Sequence, residues 1–282
     1  MNTMLKEAPP AYGLSPEQVE FFEENGYLGP LELCSEAEML ELRDWIDDSG
    51  IFDAETESPI YGRAQRDRAC MRDWHLVYRK VYELSTHPAF AESMACLMGP
   101  DLVLWRSQFQ YKYPGGPAIA WHQDLGFPGH LLRPALNPVK NISAWLAIEP
   151  ATLANGCVRL VPGTHRGHLE RRIKQTGRGE GFIGRPYAIE YVVDTRNAVA
   201  IEMRPGQFFL FSEKTLHGST ANPTKQRRLG FAVRVTTPDV HVYQDQEVDG
   251  TGYDLANFAC VLMRGEDRYG YNRYLVPDDL ID

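Results

Sequence analysis

The 282-residue chain has no apolar run long enough to cross a bilayer, and its N-terminus lacks the charged-then-apolar pattern of a secretory leader. No membrane partner is expected, and a soluble cytoplasmic protein fits. Cysteine is scarce: five residues, Cys34, Cys70, Cys96, Cys157 and Cys260, odd in number and scattered, with no Cys-x-x-Cys pair. That excludes a disulfide framework and a zinc knuckle, and suits separate thiols in a reducing compartment. Basic residues are too few for a general nucleic-acid binder, since 29 Lys and Arg against 38 Asp and Glu leave a formal charge of −9. No internal repeat is visible. What remains is an ordinary globular mixture, 43% hydrophobic and 24% charged, long enough to bury a substantial core.

One domain over residues 1–282 is expected, with a mainly helical scaffold in 1–100 and a β core in 101–282. Ser15-Pro16-Glu17-Gln18 is a capping box with proline at the first helical position, and Asn25-Gly26 stops that helix. Ser35-Glu36-Ala37-Glu38 opens a second helix with Met39, Leu42, Trp45 and Ile46 along one face. A third runs from about Thr86-His87-Pro88 to Gly99-Pro100, and residues 51–73, rich in Arg and Asp, read as a surface loop.

From Leu102 the period becomes two. Trp105, Phe109, Tyr111 and Tyr113 alternate with Arg106, Gln108, Gln110 and Lys112. Ile142, Ala144, Leu146 and Ile148 alternate with Ser143, Trp145 and Ala147. Further strands run through Gln207–Phe211 and Arg228–Val235, and many short strands between Pro/Gly turns indicate a sandwich or barrel. Residues 166–185 place Arg166, Arg171, Arg172, Lys174, Arg178 and Arg185 among glycines. This basic loop reads either as a lid closing over an anionic substrate or as a solvated surface loop.

His122 and Asp124 follow a Pro-Gly-Gly turn, and in extended chain residues i and i+2 share a side, so both can address one ion. A His-x-Asp triplet alone is weak, but His217 ends an apolar strand downstream and completes two histidines and one carboxylate. That set leaves three positions of an octahedron open, as non-haem Fe(II) oxygenases require. Arg228 opens a strand on which Arg228, Gly230, Ala232 and Arg234 alternate with Leu229, Phe231, Val233 and Val235. Two guanidinium groups beside two nearly absent side chains leave room for a carboxylate ligand, which Arg grips as a planar fork. A structural salt bridge to some Asp or Glu explains that arginine equally well.

In combination, these residues resemble the phytanoyl-CoA dioxygenase family of 2-oxoglutarate oxygenases, and most of all its branch of chlorinating enzymes from nonribosomal peptide pathways. The similarity extends over about 100–275 through Trp105-Arg106, Lys112-Tyr113-Pro114-Gly115, Trp121-His122-Gln123 and Ala154-Asn155-Gly156-Cys157. It continues in Val161-Pro162-Gly163-Thr164, His217 to Arg234, His241-Val242-Tyr243 and Tyr271-Asn272-Arg273. The resemblance implies a mainly β chain with flanking α-helices around a double-stranded β-helix (jelly-roll, cupin-like) core. It implies Fe(II) at His122, Asp124 and His217, with 2-oxoglutarate held by Arg228 and contacted by Gln110, Trp145 and Ser219. Ser143 and Arg234 are placed near the open coordination site, and Gln108, Phe127 and His130 about the substrate. The chemistry implied is O2-dependent decarboxylation of 2-oxoglutarate to succinate, coupled to hydroxylation of an unactivated C–H bond. The expected partner is a small-molecule substrate, a metabolite or amino-acid derivative, free or carrier-tethered. Desaturation, epoxidation and ring closure are alternative outcomes of the same chemistry.

One departure bears on the reaction. The chlorinating enzymes carry a small residue where this chain has Asp124, and the gap admits halide to iron; a carboxylate there favours hydroxylation. A zinc hydrolase using the same ligands, and a catalytically silent jelly-roll binding protein, are readings of another class. Among the other histidines, His75 and His87 read as surface or core residues on helical segments, and His165 and His168 as solvated. His241 gains a place near the site only from the resemblance.

Overall fold

The computed structural model describes residues 12–53, 55–65, 71–124, 135–167, 169–175, 187–249 and 252–282. Phe127, His130, His168 and Cys70 lie outside them, as do residues 176–186 of the basic segment. Among the described residues, four α-helices lie in the first hundred: α1 (Pro16–Asn25), α2 (Glu36–Asp48), α3 (Arg79–Ser85) and α4 (Pro88–Met98). The strands begin with β1 (Tyr27–Glu32), β2 (Glu57–Ser58), β3 (Arg63–Ala64), β4 (Met71–Arg72), β5 (Leu102–Lys112) and β6 (Ile119–His122). They continue with β7 (Leu136–Asn137), β8 (Ile142–Ala147), β9 (Val158–Leu160), β10 (Arg171–Gln175), β11 (Tyr187–Tyr191) and β12 (Val199–Ala200). Last come β13 (Gln207–Ser212), β14 (His217–Ser219), β15 (Arg228–Thr236), β16 (His241–Val242) and β17 (Val261–Arg264).

The capping boxes form as their chemistry dictates. The Ser15 hydroxyl accepts the Gln18 N–H while the Gln18 side chain takes the Ser15 N–H, and Gly26 ends α1 at φ 76, a left-handed turn that only glycine enters at no steric cost. Ser35 and Glu38 repeat the device at α2.

Two sheets face one another. The larger runs β1-β13-β8-β15-β5-β17, with β4 added on β5, and the smaller runs β12-β9-β14-β6. All the strand pairs that build both sheets are antiparallel, as in a jelly roll. The period-two patterns sort into two cores. Ile142, Ala144, Leu146 and Ile148 join Leu229, Phe231, Val233 and Val235 in the layer beneath the helices. Each such fully buried side chain contributes about 1.5–3 kcal/mol through area removed from water. Trp145, Ala147, Phe209, Phe211 and Ala232 lie in the second layer, with Val158 and Leu160 of the smaller sheet. The face that carries chemistry therefore looks into the space between the sheets.

Three expectations need correcting. Residues 51–73 are no simple surface loop: Tyr61, Gln65, Met71, Arg72 and Asp73 are buried, and β4 pairs Met71 with Phe109 and Arg72 with Gln108. Their charged groups find partners at long range, Arg72 with Asp249 for one, which local composition does not reveal. The basic segment is partly regular, since Arg171–Gln175 pairs antiparallel with Tyr187–Tyr191. His165 is only half exposed, with its Nε2 at 3.0 Å from the Glu23 carbonyl and its Nδ1 buried. No helix among the described residues is long and apolar enough to cross a membrane, and the four described cysteines, Cys34, Cys96, Cys157 and Cys260, are free thiols.

Candidate active site

His122 and His217 stand opposite one another in the β6–β14 pairing, and Asp124 lies just beyond β6, its N–H donated to the Glu213 carbonyl at 2.8 Å. One ligand atom from each of His122, Asp124 and His217 falls within 4.8 Å of the others, and no further such cluster occurs among the described residues. Each Nε2 is 3.9 Å from an Asp124 oxygen.

The imidazoles are oriented from behind. His122 Nδ1 lies 2.8 Å from the Ala120 carbonyl and His217 Nδ1 2.9 Å from that of Thr215. A carbonyl can only accept, so Nδ1 carries the proton and Nε2 presents its lone pair to the common centre. Burial, followed by the facing His217, pushes His122 down to about 3, and burial also lowers His217, so both are neutral and ready to ligate. Burial alone would raise Asp124. Arg234 at 2.7 Å and the two histidines outweigh it and hold the carboxyl well below the usual range. Two neutral imidazoles and one ionised carboxylate on one side of a point are the donor set that suits Fe(II) with three positions open.

The far end of β15 differs. Arg228 is 1% exposed, donates to the Gly156 carbonyl at 2.6 Å and leaves its Nε buried without a partner. No Asp or Glu among the described residues pairs with it, so the salt-bridge explanation of this arginine has no support here. Lys112, directly opposite on β5, is also buried. It donates to Ser219 Oγ at 2.6 Å and to the Thr220 carbonyl. Burial, then the neighbouring Arg228, pushes Lys112 down to about 7, and burial brings Arg228 to about 10. Two buried cations without an anion are costly unless a ligand completes them, and a dicarboxylate fits. Trp145 floors this end: the Arg228 guanidinium carbon lies 5.1 Å from its ring centroid and its Nε1–H reaches Gln110 Oε1 at 2.6 Å. Gly230 is needed for that placement, because a Cβ there would lie 2.0 Å from the indole.

Of the residues singled out from sequence, His122, Asp124, His217 and Arg234 meet at one end, and Arg228, Gln110, Trp145 and Ser219 at the other. Ser143 is opposite Arg234 in register but takes a hydrogen bond from Asn141 at 3.0 Å, so it braces the strand. Gln108 faces Ala232 on the same inner surface. His241 stacks on Tyr271 with centroids 5.6 Å apart. Nothing in the sequence marks Lys112 for this end: it lies on the polar face of β5 with Gln110, where a lysine reads as solvent-facing, and only its register with Arg228 places it here.

The profile of the phytanoyl-CoA dioxygenase family matches residues 22–230. A methylphosphonate hydroxylase of Gimesia maris is 30% identical over 223 residues, covering 76% of this chain and 78% of that protein. A phytanoyl-CoA dioxygenase of Arabidopsis thaliana is 25% identical over 264 residues, covering 80% of this chain and 90% of the relative. Among solved structures, CytC3 with Fe(II) and alpha-ketoglutarate superposes with a TM-score of 0.71 at 26% identity, over 94% of each chain. With this fold and this donor set, the chain belongs to the phytanoyl-CoA dioxygenase family and is an oxygenase dependent on iron(II) and 2-oxoglutarate.

Proposed function

We propose that the chain hydroxylates an unactivated C–H bond of a small metabolite or amino-acid derivative, free or tethered to a carrier protein. The observation that carries this reading is Asp124: a carboxylate occupies the third ligand position, is kept ionised, and is clamped by Arg234 at 2.7 Å. With that position filled by protein, the place a halide would take is occupied by Asp124. The similarity to a methylphosphonate hydroxylase supports the same outcome.

His122, Asp124 and His217 would hold the metal, and Arg228 the distal carboxylate of the co-substrate. Bound there, iron(II) and 2-oxoglutarate would use O2 to break a C–H bond, one oxygen atom going to succinate with release of CO2 and the other to the product. The chain does the rest. Arg228 offers its fork, with Lys112 and Ser219 beside it, and Gln110 holds Trp145 as the floor of the co-substrate site. Phe211 packs edge-on against His217 at 4.8 Å and Phe209 stacks on Phe211 at 5.3 Å, an apolar wall that keeps water from the reacting side.

The test is a screen for Fe(II)-dependent succinate release stimulated by amino acids, their carrier-bound forms and small anionic metabolites, with mass spectrometry of the product. Addition of one oxygen atom is expected. A halogenated product from the unmodified enzyme would overturn hydroxylation, and absence of succinate with every candidate would count against the substrate classes named.

A further inference from the structure

The inner face of β5 continues past the metal end. Arg106 pairs with Arg234 across the β5–β15 ladder, so the two side chains leave the sheet on the same side, one strand spacing (~4.8 Å) apart. Gln108 follows two residues on, opposite Ala232.

Arg106 sits in an elaborate cage. Its Nε is 3.6 Å from an Asp73 oxygen and its Nη2 is 3.8 Å from an Asp249 oxygen, distances that carry charge attraction but no hydrogen bond. Both carboxylates are already engaged. Asp73 takes the Ser107 N–H at 3.0 Å and the Tyr61 hydroxyl, and Asp249 takes Arg72 and the Tyr253 N–H at 2.9 Å. Of the five N–H groups on the Arg106 guanidinium, one makes a hydrogen bond within the described residues, to the Tyr243 hydroxyl. Arg106 is thus ion-paired to two carboxylates, yet with 12% of its side chain exposed it keeps most of its N–H groups without a hydrogen bond among the described residues. The Gln108 side chain likewise makes no hydrogen bond to any described residue, though it is half buried on the same face.

The backbone adds an independent sign. Only three non-glycine residues among those described have a positive φ, and two of them, Asp73 at 58° and Tyr243 at 53°, are among the residues that touch Arg106. Such conformations are costly for side chains of this size and persist where the surroundings enforce them, characteristically around ligands. The strain here fixes one guanidinium beside the metal end.

We infer that Arg106, with Gln108 beside it, anchors an oxyanion head group on the substrate: a carboxylate, sulfonate or phosphonate. The inference rests on the proposed hydroxylase reading and names the chemistry its substrate must carry. The anion would take the unspent guanidinium donors and the Gln108 amide, leaving the adjoining carbon chain directed toward His122, Asp124 and His217. Asp73 and Asp249 balance the charges of Arg106 and Arg72, so the anion would be held by the open hydrogen-bond donors and not by a net positive charge, which suits a substrate that binds, reacts and leaves. The register of the strand pair keeps this anchor apart from the co-substrate end, because Arg228 and Lys112 stand at the opposite end of the β5–β15 pair.

The experiment is calorimetric titration of the anaerobic Fe(II) and 2-oxoglutarate-loaded enzyme. The probes are short-chain carboxylates, sulfonates and phosphonates, alongside carboxamides and alcohols of the same skeletons. At least one anion class should saturate the enzyme and stimulate succinate release, while the neutral analogues should not. R106Q should weaken that anion by at least ~10-fold, the loss expected for a charged fork. Because R106Q also leaves two buried carboxylates short of a cation, Q108E provides a second arm: it disturbs no hydrogen bond among the described residues, sets a like charge against the head group, and should also abolish saturation. Neutral analogues binding as well as anions, no anion binding at all, or unchanged anion affinity in both variants would each overturn the anchor. Affinity for 2-oxoglutarate separates the two levels. If it is intact, only the anchor has failed; if the unmodified enzyme shows no Fe(II)-dependent binding of 2-oxoglutarate, the proposed function fails and takes the anchor with it.

Discussion

Arg228 and Arg234 lie on the same face of one strand and meet opposite fates. Arg234 finds its anion within the chain, Asp124 at 2.7 Å, whereas Arg228 is 1% exposed and has only a backbone carbonyl and the face of Trp145. A guanidinium paired with a carboxylate of its own chain holds the protein in place. One without such a carboxylate in the interior holds a place for something else. The same residue type, six positions apart (234 − 228), thus serves as a brace at one end and a receptor at the other.

The largest effect should come from removing the centre that the brace serves. His122→Ala or His217→Ala should lower turnover by at least ~1,000-fold and weaken Fe(II) binding, with the melting transition of the metal-free protein nearly unchanged. Near-normal turnover in either variant would dissolve the metal assignment. Asp124→Gly goes further into the comparison, because it turns Arg234 into a second arginine without an internal anion. Hydroxylation should fall by at least ~100-fold. The variant, but not the parent, should bind chloride or bromide, read as a halide-dependent shift in the visible spectrum of the Fe(II) and 2-oxoglutarate complex. A spectrum indifferent to halide would show that Arg234 was never an anion site in waiting.

At the receptor end, Arg228→Lys keeps the charge and loses the fork. The apparent KM for 2-oxoglutarate should rise about 10- to 100-fold with kcat less affected. A drop in stability with unchanged KM would make Arg228 a brace after all. Gly230→Ala forces a Cβ to within 2.0 Å of the Trp145 indole, and such overpacking costs about 1–3 kcal/mol. Its displaced indole should also raise the KM for 2-oxoglutarate, whereas a change in melting temperature alone would separate the floor from the site.

The smallest effect is a pH dependence. Lys112 is moved down to about 7 by burial and by Arg228, so without co-substrate it is charged below that pH and neutral above it. A bound dicarboxylate favours the charged form, so binding takes up a proton as pH rises above about 7. Affinity for 2-oxoglutarate should therefore be highest on the acid side and decline above it, by at most about tenfold per pH unit. Lys112→Met should flatten that slope, and an unchanged slope in the variant would remove Lys112 from the co-substrate site.

How much of this was legible in the sequence follows from the range over which each feature is determined. The helices α1 and α2 were, because their capping boxes close within four residues. Helix α3 was not: its N-cap Tyr78 offers no capping side chain. Strand β1 was hidden by Gly29 and Pro30, and owes its place to pairing with β13 far along the chain. The metal ligands could be read because i, i+2 spacing and a strand-end histidine are local signals. Lys112 could not, since a lysine in an alternating strand looks solvent-facing until Arg228 is set across from it. The Arg106 cage was least visible of all. Asp73 and Asp249 come from segments of ordinary polar composition, and their burial depends on contacts spanning more than a hundred residues, Arg72 with Asp249 among them.

Each of the two imidazoles is oriented by a carbonyl two residues earlier in the chain, Ala120 for His122 and Thr215 for His217. The tautomer that exposes Nε2 is thus written into the local main chain and needs no cooperating side chain elsewhere. An arrangement of that kind is modular. Side chains around the substrate can be exchanged without a compensating change at the imidazoles, so new substrates can be explored by mutation while the oxidising centre keeps its geometry. One scaffold can in this way be inherited by enzymes with widely different appetites.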